Sequence, residues 1–277
     1  MNPADAIPAS FAERALFEPI AAWLGRFAAA GVPGHAELDA LLAAIAPDAR
    51  SGGGARIRFV PPAGDAEGYE ARIFASGEVP TRAGDWHDFF NALAWCAWPR
   101  TKAACNRLHL AELHARTAAG LPGRGPRRDA LTQFDECGIV VVSSDTDLLA
   151  LLAAHEWEEA LWTRRARLLQ TTRFLVFGHG TWDQLRAPFV GLCAKTLYRV
   201  VDPAWLALPA ADARAETDAW LAAHLTTNID TLTPRSLSPL PLLGIPGVTA
   251  DSDCAAYYRD TRQFRPRRQA TPGASPT

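Results

Sequence analysis

Apolar residues recur at helical spacing from Phe11 to Ala30, with Phe11, Ala15, Leu16, Ile20, Trp23, Leu24 and Phe27 on one face, which predicts an opening helix. Gly31-Val32-Pro33-Gly34 breaks it. A second helix is predicted over Glu37–Ile45 and closed by Pro47. After the joint Gly52-Gly53-Gly54, Ala55–Val60 and Tyr69–Ile73 alternate like two strands of a hairpin, joined through Pro61-Pro62 and Gly64. Asp85 to Trp98 reads as helix, with Asp85 as N-cap and Asp88 placed to suit the helix dipole. Pro99 ends it or turns it, and Thr101 caps a further helix to about Ala118. Gly120–Arg128, rich in glycine, proline and arginine, reads as an exposed basic loop.

The run Cys137–Ser143 predicts a buried strand, with Ser144 or Asp145 capping the helix after it. Trp157–Leu169 reads as helix. Arg173–Phe177 reads as strand, followed by Gly178-His179-Gly180 and a short helix to Arg186. Pro188–Val201 fits helix or strand equally, and Asp212–Leu225 is an amphipathic helix. Thr231–Val248, rich in Pro, Leu and Gly, is expected as a loop draped over the surface, and Thr271 onward as a frayed tail. Together these predict an α+β fold, mostly helical, as a single globular domain with a small sheet. Residues 1–50 are expected as a helical segment packed on a main domain of 51–268, with 269–277 a disordered tail.

Polar chemistry concentrates in the corner around Pro99. His87 and Asn91 are four apart, as are Lys102 and Asn106, while Asn106 and His109 are three apart. Each pair shares a helix face. Two helices folded at Pro99 would turn these rows toward each other among Trp86, Phe89, Phe90, Leu93, Trp95 and Trp98. Polar groups in such surroundings need partners or cost about 1–3 kcal/mol each. The cluster of His87, Asp88, Asn91, Lys102, Asn106 and His109 is therefore a satisfied structural network or a site. As a site it offers histidine acid–base chemistry or N and O ligands for a divalent metal, although its spacing matches no metal motif. Lys102 would bind an anionic substrate or carry a carbonyl adduct.

Three weaker candidates stand beside it. His179 between glycines after a predicted strand faces whatever fills the turn, but the absence of G-x-S-x-G argues against an α/β-hydrolase. Lys195, after Pro188-Phe189, needs an anionic partner if buried. Arg262 and Arg265 lie in an aromatic, arginine-rich stretch, Tyr257–Arg268, suited to anions, RNA or a protein partner. His155-Glu156-Trp157-Glu158-Glu159 falls short of H-E-x-x-H and reads as a helix start. Ser144-Asp145-Thr146-Asp147 reads as a cap rather than a metal motif.

Composition narrows the classes. The chain has 277 residues, with 28 basic against 30 acidic and a net charge of −2, which disfavours a dedicated nucleic-acid binder. Only Lys102 and Lys195 of the basic residues are lysines, so in this arginine-rich chain each lysine is an unusual choice. Five widely spaced cysteines with no C-x-x-C suit a reducing, cytoplasmic setting. No apolar run is long enough for a membrane span, and the polar, acidic start Met1–Glu13 does not read as a secretory signal.

The string Asp85-Trp86-His87-Asp88-Phe89-Phe90-Asn91-Ala92-Leu93, with Pro99, Thr101-Lys102, Asn106 and His109, resembles an uncharacterised bacterial family catalogued as a domain of unknown function and found mainly in proteobacteria. Gly138–Val142, Trp157–Trp162 with Arg165, Phe177-Gly178-His179, Pro188–Lys195 and Tyr257–Arg265 extend the resemblance, which runs from about Trp86 to Arg268. It implies one family domain over most of the chain and no particular reaction. The expectation is a small-molecule enzyme using the His/Asp/Asn/Lys pocket on an anionic substrate. The alternative is a non-catalytic binding or scaffold protein that meets RNA or a protein through its C-terminal arginines.

Overall fold

A computed structural model describes residues 13–27, 31–62 and 68–267. The outer parts of several expectations (Phe11, Ala30, Gly64, Arg268 and the tail from 269) lie outside these residues. The architecture is α+β. A four-stranded mixed sheet has the order β4-β3-β5-β6, from β3 (Gly138–Ser143), β4 (Thr172–Val176), β5 (Cys193–Val200) and β6 (Ser238–Pro241). Strand β3 runs antiparallel to β4 and parallel to β5. Its Ile139 to Val142 are wholly buried, as expected of a strand covered on both faces. Helices surround the sheet. The described residues include no helix long and apolar enough to cross a membrane.

The corner at Pro99 forms. Helix α4 (Trp86–Ala97) is capped by Asp85, whose side chain accepts from Asp88 N, and α5 (Pro99–Ala118) follows after Trp98 alone. Thr101 is not the cap. Proline is favoured in the first turn because its missing N–H has no partner there anyway, so the helix starts at Pro99. A carboxylate from α10 (Ala210–Thr227) serves as the cap from outside: Asp218 accepts from Arg100 N at 3.0 Å, Thr101 N at 2.9 Å and Thr101 Oγ1 at 2.7 Å.

Four other expectations are corrected. Tyr69–Ile73 is not a strand but part of helix α3 (Tyr69–Ser76), ended by Gly77 at φ 72°. Five residues do not separate a period of two from one of 3.6, and Tyr69 and Ile73 sit one turn apart. Strand β1 (Arg58–Val60) instead pairs in parallel with β2 (Glu78–Pro80). The basic loop is shorter than expected, because α6 (Gly125–Cys137) takes in Arg127 and Arg128. Trp157–Leu169 divides into a π-helical stretch, Glu158–Thr163, and α8 (Arg165–Thr171). Thr231–Val248 is not draped over the surface: β6 pairs with β5 at the sheet edge, where prolines are tolerated, and Leu237, Leu240, Leu242 and Ile245 are core. Pro188–Val201 resolves as strand β5. Near the N-terminus, Leu16, Phe17 and Ile20 are buried, and Trp182 Nε1 donates to Leu16 O at 3.0 Å.

The antiparallel β3–β4 pair brings the end of α6 and the start of α9 (His179–Gln184) to one end of the sheet. Gly138 O accepts from both Phe177 N (2.9 Å) and Gly178 N (2.8 Å). This crossing is so close that a Cβ on Gly178 would lie 2.4 Å from Gly138 N and 2.5 Å from Glu136 O. Backbone on both sides leaves nothing to yield. Gly178→Ala is expected to lower unfolding free energy by about 3 kcal/mol in urea titration. Gly25→Ala, in helix α1 (Ala21–Phe27) with open space around it, should raise it by ~0.5–1 kcal/mol.

Candidate functional site

Three helix ends meet at one cleft of about 400 Å³, lined by residues of α3, α4, α5, α6 and α9. His87 stands in the first turn of α4 and His179 opens α9; their Nε2 atoms are 3.1 Å apart. Glu136, in the last turn of α6, brings Oε1 to 3.5 Å from His179 Nε2 and Oε2 to 3.8 Å from His87 Nε2. The ligand atoms of all three lie within 4.8 Å of one another. His179 is buried, while His87 and Glu136 keep 36% and 40% of their side chains open to the cleft.

Beneath this triad lies a buried ionic network. Lys102 Nζ donates to Asp135 Oδ1 at 2.6 Å, to Asp135 Oδ2 at 2.9 Å and to Asn91 Oδ1 at 3.0 Å. Its three N–H groups thus have three acceptors. Asn91 Nδ2 donates onward to the Tyr69 hydroxyl at 3.0 Å. Asp135 Oδ2 lies 3.7 Å from His179 Nδ1, so the network reaches the imidazole from behind.

The electrostatics follow from burial and these neighbours. Burial pushes His179 down to about 3, against the opposing pull of Asp135, so the ring is neutral near pH 7. Burial alone would raise the Asp135 pKa; Lys102 and then His179 outweigh it and hold the carboxyl below its usual range. Glu136 is pushed up, first by burial and then by Asp135. Burial, with Glu70 and Asp135 nearby, raises the Tyr69 phenol and keeps it protonated. Burial lowers His109, whose Nδ1 has no hydrogen-bond partner among the described residues.

The structure brings His87, Asn91, Lys102, His109 and His179 to one region, with His109 lining the same cleft. Asn106 turns aside: its Nδ2 donates to Glu70 O and Oε2, and its Oδ1 accepts from Gly52 N. Asp88 borders the cleft but is occupied by Arg82, accepting from its backbone N at 2.7 Å and Nε at 2.8 Å. Lys195, Arg262 and Arg265 stand elsewhere. Lys195 is half-buried on β5 opposite Gly138 and Pro239. Arg262 is exposed and paired with Asp260, and exposed Arg265 offers its carbonyl to Trp157 Nε1 at 2.8 Å. The basic residues lining the cleft are instead Arg82, Arg124 and Arg128. The aromatics of the C-terminal stretch face inward, with Tyr258 and Phe264 in the core.

Sequence reasoning missed Asp135, Glu136, Tyr69 and Glu70. For the acidic pair a signal exists: two adjacent carboxylates just before a buried strand fall in the last turn of α6, where the helix dipole disfavours negative charge. Such a placement needs compensating partners. Tyr69 and Glu70 were hidden by the strand expectation for their segment.

Two outcomes are expected from this geometry. Lys102→Met strands the Asp135 carboxylate and should cost about 3 kcal/mol in urea-unfolding free energy, with a substantial part recovered in Lys102→Met/Asp135→Asn. Burial makes His109 take up its proton at a lower pH in the fold than in the unfolded chain, where it does so near pH 6.5. Its contribution to stability is therefore complete above about pH 6.5 and is lost as pH falls toward the lower folded value. Unfolding free energy measured at pH 8 and pH 5 should change less for His109→Leu than for the unaltered protein.

Comparison with known proteins gives one match. No curated protein and no solved structure matches the chain. The family described as a protein of unknown function (DUF3025) matches residues 57–268, starting ahead of Trp86 and covering well over half of the sequence. The chain belongs to that family.

Proposed function

We propose that the protein is a small-molecule enzyme acting on an anionic substrate, with His87, His179 and Glu136 as the reacting centre of the cleft. The observation that carries this reading is the pair of imidazole Nε2 atoms at 3.1 Å beside a carboxylate, on the wall of an arginine-bordered cleft. The neutral imidazole of His179 and the carboxyl of Glu136, pushed up by burial and then by Asp135, offer polar atoms to a water or a hydroxyl entering the cleft. The chemistry assigned to the centre is activation of a water or a substrate hydroxyl.

Arg128 supports the anionic substrate. Its pKa is lowered by burial and then by neighbouring Arg124. Its buried Nε has no hydrogen-bond partner among the described residues. Two guanidinium groups at one rim repel each other, and a carboxylate or phosphate between them relieves that repulsion while accepting their N–H groups. The reading includes a cytoplasmic setting, supported by five cysteines that all remain free thiols.

Thermal unfolding in the presence of a panel of phosphorylated and carboxylated small molecules tests the reading. At least one class should raise the melting temperature, Arg128→Gln should remove most of that shift, and turnover of the responding compound should fall at least ~100-fold in His179→Asn. The reading fails if no anion stabilises the protein, or if Arg128→Gln responds as the unaltered protein does.

A further inference from the structure

We infer that His87 Nε2, His179 Nε2 and one carboxylate oxygen of Glu136 form a binding site for a divalent first-row transition-metal ion, with zinc the best fit to this donor set. The inference rests on the proposed cleft for its place in catalysis, but metal binding stands on geometry of its own.

Zinc holds nitrogen and oxygen ligands at about 2.0–2.2 Å in tetrahedral array, which places ligand atoms about 3.4 Å apart. The contacts here are 3.1 Å between the imidazole nitrogens, 3.5 Å from His179 Nε2 to Glu136 Oε1 and 3.8 Å from His87 Nε2 to Glu136 Oε2, and one oxygen taken with the two nitrogens keeps all three atoms within 4.8 Å. The nearest contacts fall on either side of that spacing, and a small rotation of the Glu136 carboxylate would bring one oxygen to both nitrogens. Neither imidazole–carboxylate separation is a hydrogen bond. A proton serves only one edge of this triangle, between the two nitrogens. A cation at its centre serves all three.

The surroundings are built for a ligand set. The three side chains come from the ends of α4, α6 and α9, and α9 packs against both of the others. Each is thus held by a rigid element. The glycines flanking His179 let it approach Glu136: a Cβ on Gly180 would lie 2.7 Å from Glu136 Oε2, and one on Gly178 2.5 Å from Glu136 O. Behind His179, Asp135 faces Nδ1 at 3.7 Å and is itself pinned by Lys102. Nδ1 has no hydrogen-bond partner among the described residues, and an outer carboxylate that closes to hydrogen-bond distance on it would leave Nε2 as the nitrogen free to bind the metal. On the other side the triad opens to the cleft. Three protein ligands with an open fourth position is the arrangement of a catalytic rather than a structural zinc site, and two imidazoles with one carboxylate also accept iron or manganese. The open position is where a water would be activated next to an anion held by Arg124 and Arg128.

The test is titration of the full-length, chelator-treated protein with zinc chloride by calorimetry, with cobalt(II) absorption as a second readout of the ligand geometry. One ion per chain is expected, with micromolar or tighter affinity. His87→Asn and Glu136→Gln should each weaken binding by more than the ~10–100-fold typical of an outer-shell loss. Asp135→Asn should fall within that smaller range. His224→Asn, on α10 and outside the cleft, should bind as the unaltered protein does. Circular dichroism of each variant separates lost binding from lost folding. Absence of stoichiometric binding, or variants at His87 and Glu136 that bind normally, overturns the inference. The two readings fail separately. Anion stabilisation that persists in a protein without metal affinity sinks only the metal site. Metal binding without any anion response sinks only the substrate reading.

Discussion

The contact on which the cleft depends is the buried ion pair between Lys102 and Asp135. The Lys102 side chain is only 6% exposed, and a charge so far from water is tolerated only when its hydrogen-bonding capacity is filled. Here it is: two carboxylate oxygens and one amide oxygen take its three protons. The pair joins α5 to α6, and Asn91 adds α4. Three helices that could otherwise slide on apolar surfaces are fixed at one point by a directional contact. That point lies directly behind His179, so the register that satisfies the lysine also sets the imidazole.

The sheet supplies the second constraint. Because β3 and β4 are antiparallel, the helix entering β3 and the helix leaving β4 share one end of the sheet. Glu136 and His179 therefore meet although 43 positions separate them. Gly138 and Gly178 at the crossing are glycines for a steric reason, since a Cβ at Gly138 would lie 2.3 Å from Phe134 O and one at Gly178 2.4 Å from Gly138 N and 2.5 Å from Glu136 O. The stacked rings of Phe134 and Phe177, 5.1 Å between centroids, close the floor of this junction. The aromatic packing and the site are thus consequences of the same crossing.

Half of the site was legible in the sequence because it is local. The α4–α5 corner follows from Asp85, Pro99 and helical spacing, and those rules also pair Asn91 with Lys102. His179 stood out, as a weaker candidate, because a histidine between glycines at a strand end faces whatever fills the turn. What stayed hidden is what the third dimension supplies. Asp88 has the right type and spacing, but Arg82, six residues upstream, takes its carboxylate. Asp135 and Glu136 carry no motif, and their unfavourable position at a helix end is visible only once α6 is known to run to Cys137. Tyr69 and Glu70 were lost with a strand expectation resting on five residues. Local periodicity speaks for one element at a time, whereas the choice of carboxylate partner is made across elements.

The two lysines show the same division. In a chain that otherwise uses arginine, both were worth attention, and composition treats them alike. The structure separates them by acceptor geometry. Around Lys102 the acceptors lie on different sides of one small group, two on Asp135 and one on Asn91, with the Trp95 ring 5.6 Å from the ammonium. A compact ammonium with three rotatable donors fits that arrangement, whereas a planar guanidinium spreads its five donors in one fork and needs more room. Lys195 has no such cage: it is half-buried on β5, at a sheet position where an arginine stem could also reach water. The rarity of lysine thus has a physical cause at position 102, and that cause is the same ion pair that sets the back wall of the site.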